Sequence, residues 1–303
     1  MRRSIILAMA FGLSLIAPAQ TIHFNSLRRA QMDQEKGLII LVLKDSWALV
    51  PADSIDRCNP ASACVRYFPA PGIGEFSKDH YFHLSGNDLL FTTPGSGMVY
   101  RAGPDCIARI DQSFDHRVQA GAVEFTRRDT IWRHGGYGAF SARTVLTYFD
   151  KINGGWEVLR PVRGEEPPPA LWNHRHLLDG DSLWLFGGTR FQENNPGTGL
   201  ASTAVWLFNF KTRTWKRVGN LTPEATHLER RDVQIVPWQH GKLFYPTEGS
   251  IRIFDFRNNT LELRTEPVVV TMVPGTIGMP GGSVLHYLKR SEEHTSELQS
   301  RGL

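Results

Sequence analysis

Two closely spaced histidine pairs are the first candidates for a metal-binding site in this sequence. His80 is followed by His83, and His174 is followed by His176. Residues i and i+2 of a strand lie on one face, so His174 and His176 could both point outward toward a metal ion. Two imidazoles without a third ligand make a weak site. The sequence therefore favours packing or hydrogen-bonding roles for these histidines, and it predicts no metal and no cofactor.

The three cysteines, Cys58, Cys64 and Cys106, suggest a disulfide more than a reactive site. In an oxidising compartment a pair can close. The Pro/Ala-containing stretch between Cys58 and Cys64 could turn and allow a local disulfide, while a Cys64–Cys106 pairing stays open. No C-x-x-C motif occurs, which argues against zinc and redox sites.

Motifs of several common enzyme and nucleic-acid-binding classes are missing from the sequence. Gly95-Ser96-Gly97 is typical of a hairpin turn and is not a G-x-S-x-G nucleophile elbow. Neither a phosphate-binding loop nor a dinucleotide fingerprint is present. The formal net charge is +4, and the basic residues form no run of five, whereas nucleic-acid binding needs a clustered basic footprint. No nucleic-acid partner is therefore expected.

The composition indicates which elements must position these side chains. Of 303 residues, 41% are hydrophobic and 21% charged, which is typical of a globular protein. The chain has 28 Gly, 18 Pro and 8 Trp, and turn formers and aromatic residues favour strands over long helices. We therefore expect a β-rich protein.

Residues 1–19 have the organisation of a secretory signal peptide. Arg2 and Arg3 precede an apolar run over residues 5–16, and Ala17-Pro18-Ala19 supplies a small-x-small cleavage site. The run is shorter than the roughly 20 apolar residues that span a bilayer, and an uncleaved anchor is the alternative. Export to the periplasm, the cell surface or the medium is the expectation.

Residues 290–303 follow an apolar segment without a linker. Their sequence, RSEEHTSELQSRGL, resembles the in-frame translation of a common short-read sequencing adapter. The resemblance implies that this segment is not native and that the gene is truncated near Lys289. The folded domain is then expected within residues 20–289.

An internal repeat is the strongest signal in the chain. The segment from Asp129, DTIWRHGG, recurs 52 residues later from Asp181 as DSLWLFGG. A third, partial copy covers residues 251–260 and lacks the final Trp. The repeat positions are Trp132, Gly135, Gly136, Tyr148, Trp156, Trp184, Gly187, Gly188, Trp206 and Trp215. Short strands repeated at about 50 residues must stack against further copies to bury their apolar faces.

The glycine doublet after an apolar strand, followed by a spaced aromatic residue and a Trp, resembles the kelch repeat. The resemblance implies an all-β, kelch-type β-propeller of four-stranded blades, with aromatic residues packed between blades. About 45–50 residues per blade predict about five to six blades in this chain and an incomplete ring.

The same superfamily contains galactose oxidase, a copper radical enzyme, which makes catalysis an alternative. Such a site needs two Tyr and two His at the ring centre, with one Tyr crosslinked to a Cys. The tyrosines of this chain lie in no matching motif, and Cys106 has no Tyr partner that the sequence predicts. The repeated Trp residues are predicted to be core residues and not sugar platforms.

Together these observations favour an exported, non-catalytic binding module for a protein or glycan ligand. Loops on a rigid scaffold usually carry recognition, and the longest are 165–172 and 189–203. The second contains the predicted contact residues Arg190, Phe191, Asn194 and Asn195. One alternative is the extracytoplasmic sensor domain of a receptor whose membrane-anchoring C-terminal part is missing. The other is a carbohydrate-active or copper-radical enzyme of galactose oxidase type.

Overall fold

The computed structural model describes the following parts of the chain: residues 3–8, 20–24, 27–33, 35–51, 63–114, 116–138, 140–162, 166–192, 195–221, 236–238, 242–247, 250–255, 260–264 and 270–272. Cys58, Asn194, the segment 281–287 that the sequence suggests as a further blade, and residues 290–303 lie outside the described residues. No helix of the described chain is long and apolar enough to cross a membrane.

Five four-stranded antiparallel sheets follow one another along the described chain, and we call them blades 1 to 5. Two strands precede them: β1 (Arg3–Ala8) and β2 (Gln20–Phe24). Blade 1 contains β3 (Arg29–Asp33), β4 (Leu38–Val42), β5 (Ser46–Pro51) and β6 (Arg66–Pro69). A short 3-10 helix, Ile73–Ser77, leads to blade 2, which contains β7 (Tyr81–Ser85), β8 (Asp88–Thr92), β9 (Val99–Ala102) and β10 (Ile107–Arg109).

The next two blades each carry an extra hairpin. Blade 3 contains β11 (Val123–Arg127), β12 (Thr130–His134), β15 (Leu146–Asp150) and β16 (Gly155–Leu159), with the hairpin β13 (Tyr137–Gly138) and β14 (Ser141–Ala142) between its second and third strands. Blade 4 contains β18 (Arg175–Asp179), β19 (Ser182–Phe186), β22 (Ala204–Asn209) and β23 (Thr214–Asn220). A separate three-stranded sheet joins β17 (Leu171–Trp172), β20 (Thr189–Gln192) and β21 (Asn195–Ala201).

Blade 5 and the last strand complete the described elements. Blade 5 contains β24 (Val236–Trp238), β25 (Lys242–Thr247), β26 (Ser250–Asp255) and β27 (Thr260–Arg264), and β28 (Val270–Met272) follows it. Strand β28 pairs with β1, and β1 pairs with β2, in a three-stranded antiparallel sheet. The third repeat copy of the sequence therefore lies in β26 and β27.

Blades 1 to 4 pack face to face along the chain. Apolar clusters join blades 1 and 2, for example Trp47 with Phe91, blades 2 and 3, for example Leu90 with Trp156, and blades 3 and 4. The first strand of blade 2, β7, also lies next to the first strands of blades 1 and 3. This arrangement of stacked four-stranded meanders is an all-β, propeller-like fold, and it confirms the predicted all-β fold of four-stranded blades.

Each central strand serves two interfaces because its side chains alternate. In β12, Ile131 and Arg133 face blade 2, whereas Trp132 and His134 face blade 4. All four are buried. Both faces of β12 are therefore covered, so buried residues follow one another along the strand and do not alternate with exposed ones.

The pairing between the last two strands of blades 3 and 4 shows which residues of the two repeat copies are equivalent. Phe149 lies opposite Trp156 in blade 3, and Phe208 lies opposite Trp215 in blade 4. Phe149 is thus the equivalent of Phe208, and its neighbour Tyr148 packs on Trp132 instead, with ring centroids 5.2 Å apart. The five repeat tryptophans are buried, with exposed fractions of 9% or less.

The turns between the first two strands of blades 1 to 4 meet on one surface, which we call the turn face. The Nζ of Lys36 lies 2.6 Å from a carboxylate oxygen of Asp129. The guanidinium of Arg128 donates to Asp181 at 3.0 Å. Arg128 and Asp129 have φ of 47° and 61°, as a type I′ hairpin turn requires. These contacts are largely exposed, so each contributes about 1 kcal/mol at most.

Candidate functional site

The opposite surface, which we call the loop face, is built around the two glycine doublets. Gly135, Gly136, Gly187 and Gly188 all have positive φ, between 65° and 85°. A Cβ on Gly135 would lie 2.8 Å from the His174 ring, and one on Gly188 would lie 2.5 Å from the His174 Cα. Glycine is therefore required at both positions because the chain before blade 4 passes between them.

This connection, residues 170–174, holds a tryptophan at the surface. Leu171 is fully buried, and its carbonyl accepts from the Gly136 amide at 2.8 Å. Asn173 has a φ of 55°, and its amide donates to the Gly121 carbonyl at 2.7 Å. Trp172 lies between these anchors, 41% exposed, and its indole covers Gly121, where a Cβ would overlap it.

Trp172 belongs to a line of three rings that we call the aromatic row: Trp172, Phe191 and Tyr137. The Trp172 and Phe191 rings are stacked, with centroids 6.0 Å apart and planes at 20°. The Phe191 and Tyr137 centroids are 5.7 Å apart, with planes at 31°. By contrast, the Trp132–Phe210 and Phe208–Phe210 pairs in the core meet at 71° and 85°.

The predicted contact loop 189–203 is a β-hairpin. Its strands β20 and β21 pair with each other, and β20 also pairs with β17, so that Leu171 lies opposite Arg190. Arg190 is exposed, and Phe191 joins the aromatic row. Asn195 begins β21. The structure thus brings together Trp172 and Phe191 from the two loops that the sequence singles out.

Arg133 anchors the connection that enters blade 3. Its guanidinium donates to the carbonyls of His116 and Arg117, each at 2.8 Å. The Cζ lies 3.4 Å from the centroid of the Trp156 ring, which gives a cation–π contact. Burial lowers the pKa of Arg133 to about 10, although Glu124 and Asp111 act in the opposite direction. The side chain therefore stays charged at neutral pH.

His134, the next residue, anchors the connection that enters blade 4. Its Nδ1 lies 3.1 Å from Nε2 of His174, and the rings meet edge to face at 87°. The Trp215 ring lies 5.1 Å from that of His134. Burial lowers the pKa of His134 to about 3, against a weaker opposing effect of the Thr144 backbone. Both imidazoles are therefore neutral at ordinary pH.

The two histidine pairs of the sequence do not form pairs in space. His174 bonds to His134, while His176 packs on Phe125 at 5.1 Å between ring centroids. Burial lowers the pKa of His176 to about 4. Among the described residues, no group of three or more His, Cys, Asp or Glu side chains could hold a metal ion.

His83 lies in a buried polar cluster between blades 2 and 3. Its Nε2 is 2.7 Å from a Glu124 carboxylate oxygen, and its Nδ1 is 2.9 Å from the Thr126 hydroxyl. Glu124 also accepts from Thr92. Both ring nitrogens are therefore engaged inside the protein. His80 is also engaged, with the Phe76 carbonyl and the Thr93 hydroxyl at 3.1 and 3.0 Å.

The cysteines differ in state. Cys64 is disulfide-bonded, whereas Cys106 is free and exposed. Cys58 lies outside the described residues, so the Cys58–Cys64 pairing stays a prediction.

Sequence reasoning missed several residues of this site. Tyr137, Arg133 and His134 lie inside or next to the first repeat copy, and nothing in their local pattern names a partner. One signal was available: at the positions of Arg133 and His134, the second copy has Leu185 and Phe186. A polar pair at positions that the other copy fills with apolar residues indicates specific buried contacts.

The chain was compared with known proteins. No protein-family model and no curated protein sequence matches it. Among solved structures, it is similar to the structure of YjhT, with a TM-score of 0.41 and 15% sequence identity. The match covers 66% of this chain and 66% of that chain, just under two thirds of the length of YjhT.

Proposed function

We propose that this chain is an exported, kelch-type propeller that binds a protein or glycan ligand through the aromatic row and does not catalyse a reaction. The observation that carries the proposal is the exposed Trp172 stacked on Phe191. Aromatic side chains supply large contact area at low entropic cost and are enriched at the centres of binding surfaces.

The aromatic row differs from scattered surface aromatics. Phe114 and Phe140 are 90% and 97% exposed, and single exposed apolar residues are normal. Trp172, in contrast, stacks on Phe191. Its two neighbours in the chain, Leu171 and Asn173, are each fixed by a backbone hydrogen bond, and Leu171 is buried. A rigid platform loses little entropy when a ligand binds, which favours recognition at this position.

Three observations support the remaining parts of the proposal. The repeat of 52 residues with its glycine doublets supports the kelch type. The organisation of residues 1–19 supports export. The use of both His83 nitrogens inside the protein supports a binding role over catalysis, because a general base needs a nitrogen within reach of its substrate.

The test is binding of the full-length chain to a glycan array and to a peptide array. We expect a ligand on one of them, and we expect Trp172→Ala to weaken that binding at least about 10-fold, since an aromatic hot spot contributes about 2 kcal/mol or more. Phe114→Ala is the matched control, because it removes an exposed ring outside the row.

Two outcomes would overturn the proposal. One is equal binding by Trp172→Ala and the wild type. The other is that neither array retains the wild-type chain, with folding of the same preparation verified by circular dichroism.

A further inference from the structure

The segment that presents Trp172 is anchored at one end by a buried pair of histidines. The His134 and His174 side chains are bonded to each other, and the His174 ring and backbone fill the space above Gly135 and Gly188. Within the described part of the chain, the outer nitrogens, Nε2 of His134 and Nδ1 of His174, have no hydrogen-bond partner. The two rings are therefore joined to each other by one hydrogen bond.

The protonation state of the two rings determines whether the hydrogen bond between them can form. A neutral imidazole has one N–H and one bare nitrogen, so one ring donates to the other. An added proton must go to an outer nitrogen, where it creates a buried positive charge. Two protonated rings would also oppose two N–H groups at 3.1 Å. Protonation therefore disfavours the seated geometry.

The groups around the pair compensate a positive charge only in part. The Thr144 backbone favours a protonated His134, but its effect is weaker than that of burial. The strand packed behind His134 contributes Trp215, which is uncharged. The strand that follows His174 contributes His176, whose charge would repel a protonated His174. Burial is the main cause that lowers the pKa of His174, and His134 and His176 act in the same direction. Arg133 lies on the opposite face of β12 and contacts the other interface.

We propose that the His134–His174 pair is an acid-sensitive latch on the aromatic row. With both rings neutral, residues 170–174 stay seated and Trp172 is held against Phe191. When the histidines are protonated, residues 170–174 leave the space between Gly135 and Gly188, and ligand binding weakens. The effect on binding rests on the proposed function, whereas the latch itself can be observed without any ligand.

The expected size follows from proton linkage. A histidine that titrates normally when the segment is open, at a pKa of about 6.5, favours opening about 30-fold more at about pH 5 than at about pH 7.5. Two such histidines multiply to about 1,000-fold. Opening should therefore rise by two to three orders of magnitude over this range.

The test is amide hydrogen exchange on the full-length chain at about pH 7.5 and about pH 5, corrected for the intrinsic rates. The reporters are the Asn173 and Gly136 amides, which donate to Gly121 and Leu171 at 2.7 and 2.8 Å. We expect their protection to fall at least about 100-fold in acid. The amides of β8 in blade 2 report global unfolding, so they should stay better protected than the Asn173 amide at both pH values.

Two variants separate the latch from general acid sensitivity. His134→Phe introduces the residue that the second repeat copy has at this position, and it should reduce the pH dependence of opening to about 30-fold because one titrating group remains. His176→Leu removes a half-buried histidine that lies outside the segment, and it should leave most of the local effect.

The latch is refuted if the Asn173 amide shows no pH dependence, or if the Asn173 and β8 amides are equally protected at both pH values, because the segment would then open only by global unfolding. An unchanged pH dependence in His134→Phe would also refute it. If that variant does not fold, the comparison of the two wild-type segments still decides. A negative array result would count against the binding function alone.

Discussion

Blades 3 and 4 are copies of one repeat and yet differ just before their glycine doublets. Blade 3 has Arg133 and His134, whereas blade 4 has Leu185 and Phe186, and all four side chains are exposed by 1% or less. The backbone positions are equivalent, so the strand itself does not select the residue type. What differs is the neighbouring connection that each side chain contacts.

The comparison shows how a repeat protein can anchor loops without changing its scaffold. In blade 3, two consecutive side chains point to opposite interfaces, so one residue holds the connection before the blade and the next holds the connection after it. In blade 4, Leu185 belongs to an apolar cluster with Leu183 and Phe208. A buried polar side chain is tolerated only where hydrogen-bond partners are present.

The largest effect is expected when the polar residue is moved into the apolar copy. Leu185→Arg places a guanidinium among apolar side chains of the interface between blades 3 and 4, and it should destabilise the protein by more than about 4 kcal/mol or prevent folding. Leu185→Met is the control and should cost less than about 1.5 kcal/mol. Urea unfolding measures both, and a small cost for Leu185→Arg would show that the copies tolerate the same residues.

Acid should weaken blade 3 and blade 4 packing next most strongly. The pKa values of His134 and His176 lie at about 3 and about 4 in the folded state, below the ordinary 6.5. Between these values the unfolded chain binds more protons, so the free energy of unfolding falls as the pH drops below about 6.5. At about pH 5 each of the two costs about 2 kcal/mol.

Urea unfolding at about pH 7.5 and about pH 5 measures this dependence, to which His174 adds in the same direction. His134→Phe makes blade 3 resemble blade 4 and should recover about 2 kcal/mol of the loss at about pH 5. Identical pH dependence of the variant and the wild type would contradict the burial of a neutral His134.

Arg133→Leu is the reverse of Leu185→Arg. It places the leucine of the second repeat copy at the interface between blades 2 and 3. The variant leaves two carbonyls without their donor and removes the contact with Trp156, so we expect a loss of about 3 kcal/mol. Arg101→Leu, on the exposed side of β9, should cost less than about 0.5 kcal/mol. If the two variants unfold at the same urea concentration, the guanidinium does not anchor the connection.

The smallest expected difference concerns the glycines that both copies share. Gly188→Ala combines a φ of 76° with a Cβ only 2.5 Å from the His174 Cα, and it should cost about 3 kcal/mol. Gly180→Ala, at a φ of 59° with nothing within 4 Å of a Cβ, should cost only about 1 kcal/mol. Thermal unfolding compares them, and equal shifts would mean that backbone strain alone requires these glycines.

A large part of the fold follows from local pattern. The apolar run and the glycine doublet of the first repeat copy predict the strand around Trp132 and the turn after it, and the structure confirms both. The repeat also predicts stacking. The aromatic row did not follow from the sequence, because Trp172 and Phe191 belong to different loops and Tyr137 to a third segment.

The strands, the turns and the period of the repeat follow from the order of the amino acids, since they depend on side-chain alternation and on glycine's access to positive φ. The interface that each buried residue faces, and the groups that it contacts there, depend instead on how the blades pack together. His134 and His174 are separated by 40 residues, and adjacent residues of a strand point to opposite sides. Stacking of the blades, and not local pattern, therefore selects the partners of Arg133 and His134.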